Sequence, residues 1–290
     1  MPVADGADLA RRFGGLRRLY GDREYERIRA ARIAVVGLGG VGSWAAEALA
    51  RSGVAQLTLI DFDHVAESNI NRQVQALGST LGMAKGQALE QRVRDIHPGC
   101  RVHVVDAFVD ACNWPALLVE PVDVVIDACD QLRAKLALAV WARATGAALV
   151  VAGAAGGKRL PQGVATGDLA EVTHDPLLAA LRQRLRKHHD APRSGALNLA
   201  CVYSREPVHR PLAGDGDACA SDGSLNCSGY GSSVSVTATF GMVSASEALR
   251  LLPGVPGASQ GGASRFDGKE TIARIQGIGS RGVSVSTSIG

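Results

Sequence analysis

The 290-residue chain is 46% apolar and 20% charged, with a formal net charge of +3. That balance excludes an extensively disordered chain and leaves apolar surface for one large core or two ordinary ones. Glycine, at 35 residues, exceeds its usual share of about 7%, which predicts both special backbone work and a loose segment.

The amino terminus lacks the charged, apolar and small-residue series of a secretory signal, so a cytoplasmic location is expected. The first 30 residues, ending DREYERIRAA, read as one or two short basic helices. RIAVV (32–36) is a β-branched apolar run ending in glycines, the pattern of a strand buried on both faces. SWAAEALARSG reads as a helix stopped by Gly53, and QLTLID (56–61) as a second strand. AKGQALEQRVRDIHPG is a helix ending at Pro98–Gly99, followed by strands RVHVVD and VDVVIDA (122–128). QLRAKLALAVWARATG is a further helix and AALVVAG (147–153) a fifth strand. Strands alternating with helices at this spacing imply a Rossmann-like, doubly wound, mostly parallel α/β sheet with flanking helices.

From about residue 154 the pattern changes to a carboxyl-terminal elaboration. KRLPQGVATGDL reads as a short extended segment, DPLLAALRQRLRKHH as an amphipathic basic helix, and VTATFGMVSASEALRLL as a helix packing on the sheet. The uncharged stretch 223–246 is long enough to span a bilayer but is diluted by serine, threonine and glycine. A buried segment, with no integral membrane span, is therefore expected. Residues 253–290 are rich in glycine and serine without periodicity and read as a flexible tail, which leaves 1–252 as one domain. The six cysteines (100, 112, 129, 201, 219 and 227) never form CxxC, which predicts free thiols and disfavours structural zinc.

The chemistry concentrates at the ends of the early strands. GLGGVG (37–42) matches G-x-G-x-x-G between a strand and a helix, placing Gly37, Gly39, Gly40 and Gly42 where a nucleotide's phosphates approach backbone N–H groups. Asp61, ending the next strand, stands at the spacing that reaches ribose hydroxyls. The motif alone suggests NAD. The polar run FDHVAESNINRQ that follows points elsewhere, because Asn69, Asn71 and Gln73 add amides while Arg72 and Lys85 add two cations. Such charge suits a triphosphate. Asp130, in IDACD after the fourth strand and with Asp127 nearby, is the candidate Mg²⁺ ligand; its bland alternative is the N-cap of the helix that follows.

Together, GLGGVGSW, DFDHVAESNINRQ, GMAKG and IDACD resemble the ThiF/MoeB-type adenylating enzymes related to ubiquitin-activating enzyme. The resemblance implies ATP held by the glycine loop and Asp61, a triphosphate lined by Asn69, Arg72, Gln73 and Lys85, and Mg²⁺ on Asp130. Within the family, RRFGGLRRLYG, GDLAEVTHDPLLAALRQRLRK, CVYSRE and VTATFG are most similar to the branch that dehydrates threonylcarbamoyladenosine in tRNA. That branch implies adenylation of the substrate carboxylate with release of pyrophosphate, catalysis by Arg72, Lys85 and Asp130, and a homodimer. It also implies a sulfur-transfer protein as a candidate partner. Two departures matter. The paired CxxC zinc ligands of sulfur-carrier-activating members are absent, and Gly15 stands at the second arginine of an RxxR motif, leaving Arg12, Arg17 or Arg18 as substitutes.

Cys201 and Cys227 are the candidates for a thiol that captures the activated acyl group, against the commoner role of a buried small hydrophobe. Arg182, Arg184, Arg186 and Lys187 on the basic helix, extended by His188, His189 and Arg193, offer a patch for tRNA phosphates or an ordinary solvated face. The rival functions are adenylation of a ubiquitin-like sulfur carrier's C-terminus and a NAD-binding oxidoreductase.

Overall fold

The computed structural model describes residues 6–209 and 230–252. The amino-terminal helices are α1 (Leu9–Tyr20) and α2 (Asp22–Ala30). They lead into β1 (Arg32–Val36), α3 (Gly42–Arg51), β2 (Gln56–Ile60), α4 (Lys85–Ile96) and β3 (Arg101–Val105). Then follow β4 (Val124–Asp127), α5 (Leu132–Thr145) and β5 (Ala148–Ala152). The elaboration supplies β6 (Val164–Asp168), α6 (Pro176–His188), β7 (Ala200–Ser204) and α7 (Val234–Arg250).

Among the described residues seven strands run in the order β3-β2-β1-β4-β5-β7-β6, all parallel except the antiparallel β6–β7 pair. Side-chain alternation sorts the strands into two cores. Ile33, Val35, Leu57, Leu59, Val124 and Ile126 face α3, α4 and α7, while Ala34, Val36, Ile60, Val125 and Val151 face α5 and α6. Strands covered on both faces read as unbroken apolar runs, which is why RIAVV and QLTLI were legible.

The one strand the sequence reading misses is β7. Its run, ACVYS, is short and flanked by polar loops, and its place beside β5 follows from the Val150↔Ala200 pairing. The uncharged stretch ends in α7, whose buried side packs on the sheet; among the described residues no helix is long and apolar enough to cross a membrane. Residues 253–290, expected as a tail, and Cys219 and Cys227 lie outside the described residues.

Register places the carboxyl ends of the central strands level, with Val36 beside both Ile60 and Asp127, and Ile60 beside Val105. The chain leaves β1 toward β2 on one side and returns to β4 on the other. The reversal of strand order between β1 and β4 opens a crevice at that edge, where ligands bind in such sheets.

Candidate functional site

A cavity of about 560 Å³ occupies this crevice, within the range of small-molecule sites. Its walls come from the ends of β1, β2, β4 and β5, from the loop after β3, from Tyr230 and Ser232 just before α7, and from Thr237 in its first turn. Gly37, Gly39, Gly40, Asp61, Asn69, Arg72, Gln73, Lys85 and Asp130 all line it.

Gly42 does not. The structure sets it behind the loop, where an added Cβ would fall 1.8 Å from the Gly37 carbonyl oxygen, so its absent side chain lets α3 close on β1. Gly37, at φ 85°, makes the turn itself and leaves no room for a Cβ beside the Cys129 N–H. The N-cap of α3, Val41, makes no side-chain cap bond, and although the Ser43 N–H donates to the Gly39 carbonyl at 3.1 Å, the helix amino terminus at the cavity presents the positive end that suits an anion.

Asp61 is fastened from both sides. Oδ2 accepts the Leu38 N–H at 2.5 Å and Oδ1 the Asp63 N–H at 2.8 Å. Burial pushes its carboxyl up from the usual range, against the pull of Lys85 and those two N–H groups. Lys85 opens α4 with its ammonium 2.6 Å from Asp63 and 3.9 Å from Asp61. Arg72 donates to the Ser68 carbonyl at 2.6 Å and to Asn71 Oδ1 at 2.9 Å, and burial lowers its guanidinium from the usual value. Asn69 Oδ1 caps its own turn by accepting the Ala66 N–H, and buried Gln73 accepts from Gln75.

Asp130 stands on the opposite rim. The N-cap of α5 is Gln131, with no side-chain cap bond, so Asp130 does not serve the bland role considered for it. Burial raises its carboxyl, joined by Asp63, while Lys135 and Lys85 oppose. Among the described residues no group of three or more histidine, cysteine or acidic side chains could hold a metal. Asp130 is a single carboxylate on the cavity wall, the number of protein ligands that a Mg²⁺ held mostly by phosphates would need.

Several wall residues escaped the sequence reading. Phe62 and Phe108 are half-exposed, with ring centroids 4.6 Å apart, and both line the cavity. Phe62 was signalled only by its place next to Asp61; Phe108 carried no signal, because it comes from a loop 46 positions away in the chain. A side lobe of about 440 Å³, lined by Glu67, Ser68, Asn71 and Gly231, shares Asn69, Arg72, Tyr230 and Ser232 with the main cavity.

For Cys201 the structure favours the commoner of the two roles weighed, and for the α6 cations it narrows the patch. Cys201 is fully buried in β7, does not line the cavity, and has its thiol pushed well up by burial. It is placed as a core residue. Cys129 does line the cavity, but burial likewise raises its thiol, which donates to Asp127. On α6, Arg182 spends its guanidinium on the carbonyls of Leu169 and Val172, both at 2.9 Å, and Arg186 donates to the Pro192 carbonyl. The exposed cations there are Arg184, Lys187 and, in the following loop, Arg193.

The amino-terminal arginines lie at the ends of α3 and α4 that are remote from the cavity. Arg12 donates to the carbonyls of Asp95 and Ile96 at the end of α4, and Arg17 pairs with Glu26 and Asp22 beneath the Tyr25 ring. Arg18 is exposed on the same helix. Helices α3 and α4 begin at the cavity and end at α1, so none of these arginines faces this chain's own cavity.

The ThiF family model matches residues 11–277. The chain is 43% identical over 250 residues to the tRNA threonylcarbamoyladenosine dehydratase of Escherichia coli, covering 83% of this chain and 93% of that protein. The Haemophilus influenzae protein of the same name is 38% identical over 244 residues, with the same two coverages. The crystal structure of the E. coli dehydratase in complex with ATP superimposes with a TM-score of 0.76 at 41% identity, covering 86% of this chain and 96% of that one.

Proposed function

The chain belongs to the ThiF family, and from that premise we propose that it is an ATP-dependent adenylating enzyme that dehydrates threonylcarbamoyladenosine beside a tRNA anticodon. The observation that carries this reading is the likeness to the E. coli dehydratase over 93% of that protein's length. The convergence of Arg72, Lys85 and Asp130 on one cavity facing the glycine loop supports it.

A carboxylate oxygen of the threonylcarbamoyl group attacks the α-phosphorus of ATP, and the bond to pyrophosphate breaks. A nucleophile within the same threonylcarbamoyl group then attacks the activated acyl carbon. The ring closes and AMP leaves with the former carboxylate oxygen, so the nucleoside loses one water. No protein nucleophile is needed, which agrees with the raised thiols of Cys129 and Cys201.

The chain's own work is positioning and charge stabilisation. First-turn N–H groups of α3 receive phosphate oxygens, Asp61 accepts from the ribose hydroxyls, and the Phe62–Phe108 pair offers an aromatic face to the adenine. Asn69 and Gln73 line the triphosphate. Arg72 and Lys85 neutralise charge that builds as pyrophosphate departs, and Lys85 exchanges its Asp63 partner for phosphate. Asp130 would hold a Mg²⁺ ion, which supplies further neutralisation of the phosphates.

The substrate's size explains the outlying features. Arg184 and Lys187 lie toward the far end of a 13-residue helix, roughly 20 Å long, whose start at Leu177 touches the cavity, and Arg193 follows in the loop beyond it. An anticodon arm spans that distance. The α1 arginines, remote from this chain's own cavity, suit reach into a second copy's site, with Arg18 the one not engaged in the contacts described for Arg12 and Arg17. A tRNA substrate supports the cytoplasmic location expected from the sequence.

The test is mass spectrometry of threonylcarbamoylated tRNA after incubation with the purified protein and ATP. Loss of one water per modified nucleoside, dependent on ATP, is expected. If instead ATP–pyrophosphate exchange responds to a ubiquitin-like sulfur carrier and not to tRNA, the chain is a carrier-activating enzyme and this reading fails.

A further inference from the structure

Beneath the β4–β5 rim lies a set of charged side chains that the reaction above leaves unused. Lys135, in the first turn of α5, has no exposure to solvent. Its ammonium donates to the Ala152 carbonyl at 2.7 Å and sits 3.1 Å from Asp127 Oδ1. Asp127, equally buried at the end of β4, also receives the backbone N–H and the thiol of Cys129 on Oδ1. Its Oδ2 is buried with no hydrogen-bond partner among the described residues. Asp175, nearly buried, accepts the Ala154 N–H at 2.8 Å, and Lys158 donates to the carbonyls of His174 and Glu206.

A lysine in a dry interior gives up both side-chain freedom and hydration. Its neighbours on α5, Ala134, Leu138 and Ala139, fill the same core without that cost. What the ammonium adds is a tie between the ends of two adjacent strands at the level where the chain leaves the sheet. Ala152 ends β5, Asp127 ends β4, and the Cys129 N–H hangs on the carboxylate oxygen that Lys135 holds. The next residue is Asp130, on the cavity wall.

We propose that Lys135 is a positioning residue for the phosphate end of the nucleotide. By holding Asp127 Oδ1 between Ala152 and Cys129, it sets the Cys129–Asp130 turn, and so aims the Asp130 carboxylate at the phosphates. It acts through Asp127 and Cys129 and touches no substrate. The inference rests on the ATP-dependent reading above.

Two variants separate positioning from folding. Lys135→Met alone strands a buried carboxylate, so the double variant Asp127→Asn, Lys135→Met, which removes both charges, is the decisive protein. One readout is the rate at which iodoacetamide alkylates Cys129, with exposed Cys112 as the internal standard. The other is ATP affinity by calorimetry with and without Mg²⁺. In the folded double variant, Cys129 labelling should rise by about tenfold against an unchanged Cys112. Metal-free ATP affinity should hold, while the gain from Mg²⁺ falls by about tenfold or more, the scale of supporting-residue effects at metal sites. Wild-type labelling and a wild-type Mg²⁺ gain would overturn the proposal. So would equal losses in metal-free and Mg²⁺-bound affinity, which would make Lys135 a stability element only. A wild-type protein that binds no ATP would instead overturn the functional reading.

Discussion

The two rims of the cavity place charge differently. On the β1–β2 side, Asp61, Asp63, Arg72 and Lys85 stand at the wall, paired with one another or with nearby carbonyls across short distances. On the β4–β5 side Asp130 is, among the described residues, the one charged side chain at the cavity, and Asp127, Lys135, Asp175 and Lys158 are sunk below it. Wall charges border the open cavity, so they can exchange partners for a ligand entering it, even at Lys85, where little of the side chain is exposed. Buried charges cannot: each is matched to fixed carbonyls and N–H groups, and removing one leaves its partner uncompensated at about 3–5 kcal/mol. One rim is thus equipped to bind, the other to hold a shape.

The largest expected effect tests that division at the wall. Arg72→Ala and Asp130→Ala should each lower ATP-dependent turnover by about 100- to 1,000-fold, the scale of a lost transition-state contact, with the melting temperature little changed. Steady-state assays beside thermal unfolding check both halves. If Arg72→Ala melts as early as Lys135→Met, the contrast between the rims breaks.

The glycine loop sharpens the comparison at an intermediate scale. Gly42→Ala would put a Cβ 1.8 Å from the Gly37 carbonyl and should cost on the order of 3 kcal/mol by urea unfolding. Gly39→Ala meets nothing within 4 Å, so its stability should stay within about 0.5 kcal/mol, and any loss should appear in ATP affinity instead. The smallest effect is expected on α6. Arg184→Ala with Lys187→Ala should weaken tRNA binding and reduce the slope of log affinity against log salt by about one per phosphate contact removed. Arg182→Ala, which strips two carbonyls of their donor, should lower stability and leave that slope unchanged.

Legibility in the sequence followed the range of the interactions. The βαβ units were readable because buried parallel strands are continuous apolar runs and each helix carries its own stop, as at Gly53 and Gly146. The glycine loop, Asp61, Arg72 and Lys85 were readable because the motif and its polar sequel lie within one stretch of chain. Gly42 was read as a phosphate contact, since the motif treats its glycines alike and only the closeness of α3 to β1 distinguishes them. Arg182 was counted with the exposed cations because helical spacing does not reveal that loop carbonyls fold back over it.

The amino-acid sequence by itself determined the alternation of strands and helices, the phosphate turn at their first junction, and the cluster of amides and cations after β2. These depend on local backbone sterics and on side-chain polarity, which a short window carries. Only the tertiary structure decided that Phe108 joins Phe62, that β7 inserts between β5 and β6, that Cys201 is core, and that Lys135 lies dry beneath Asp130. Each of those rests on contacts between distant segments, and burial changes what a charge or a thiol does without changing the letter that encodes it.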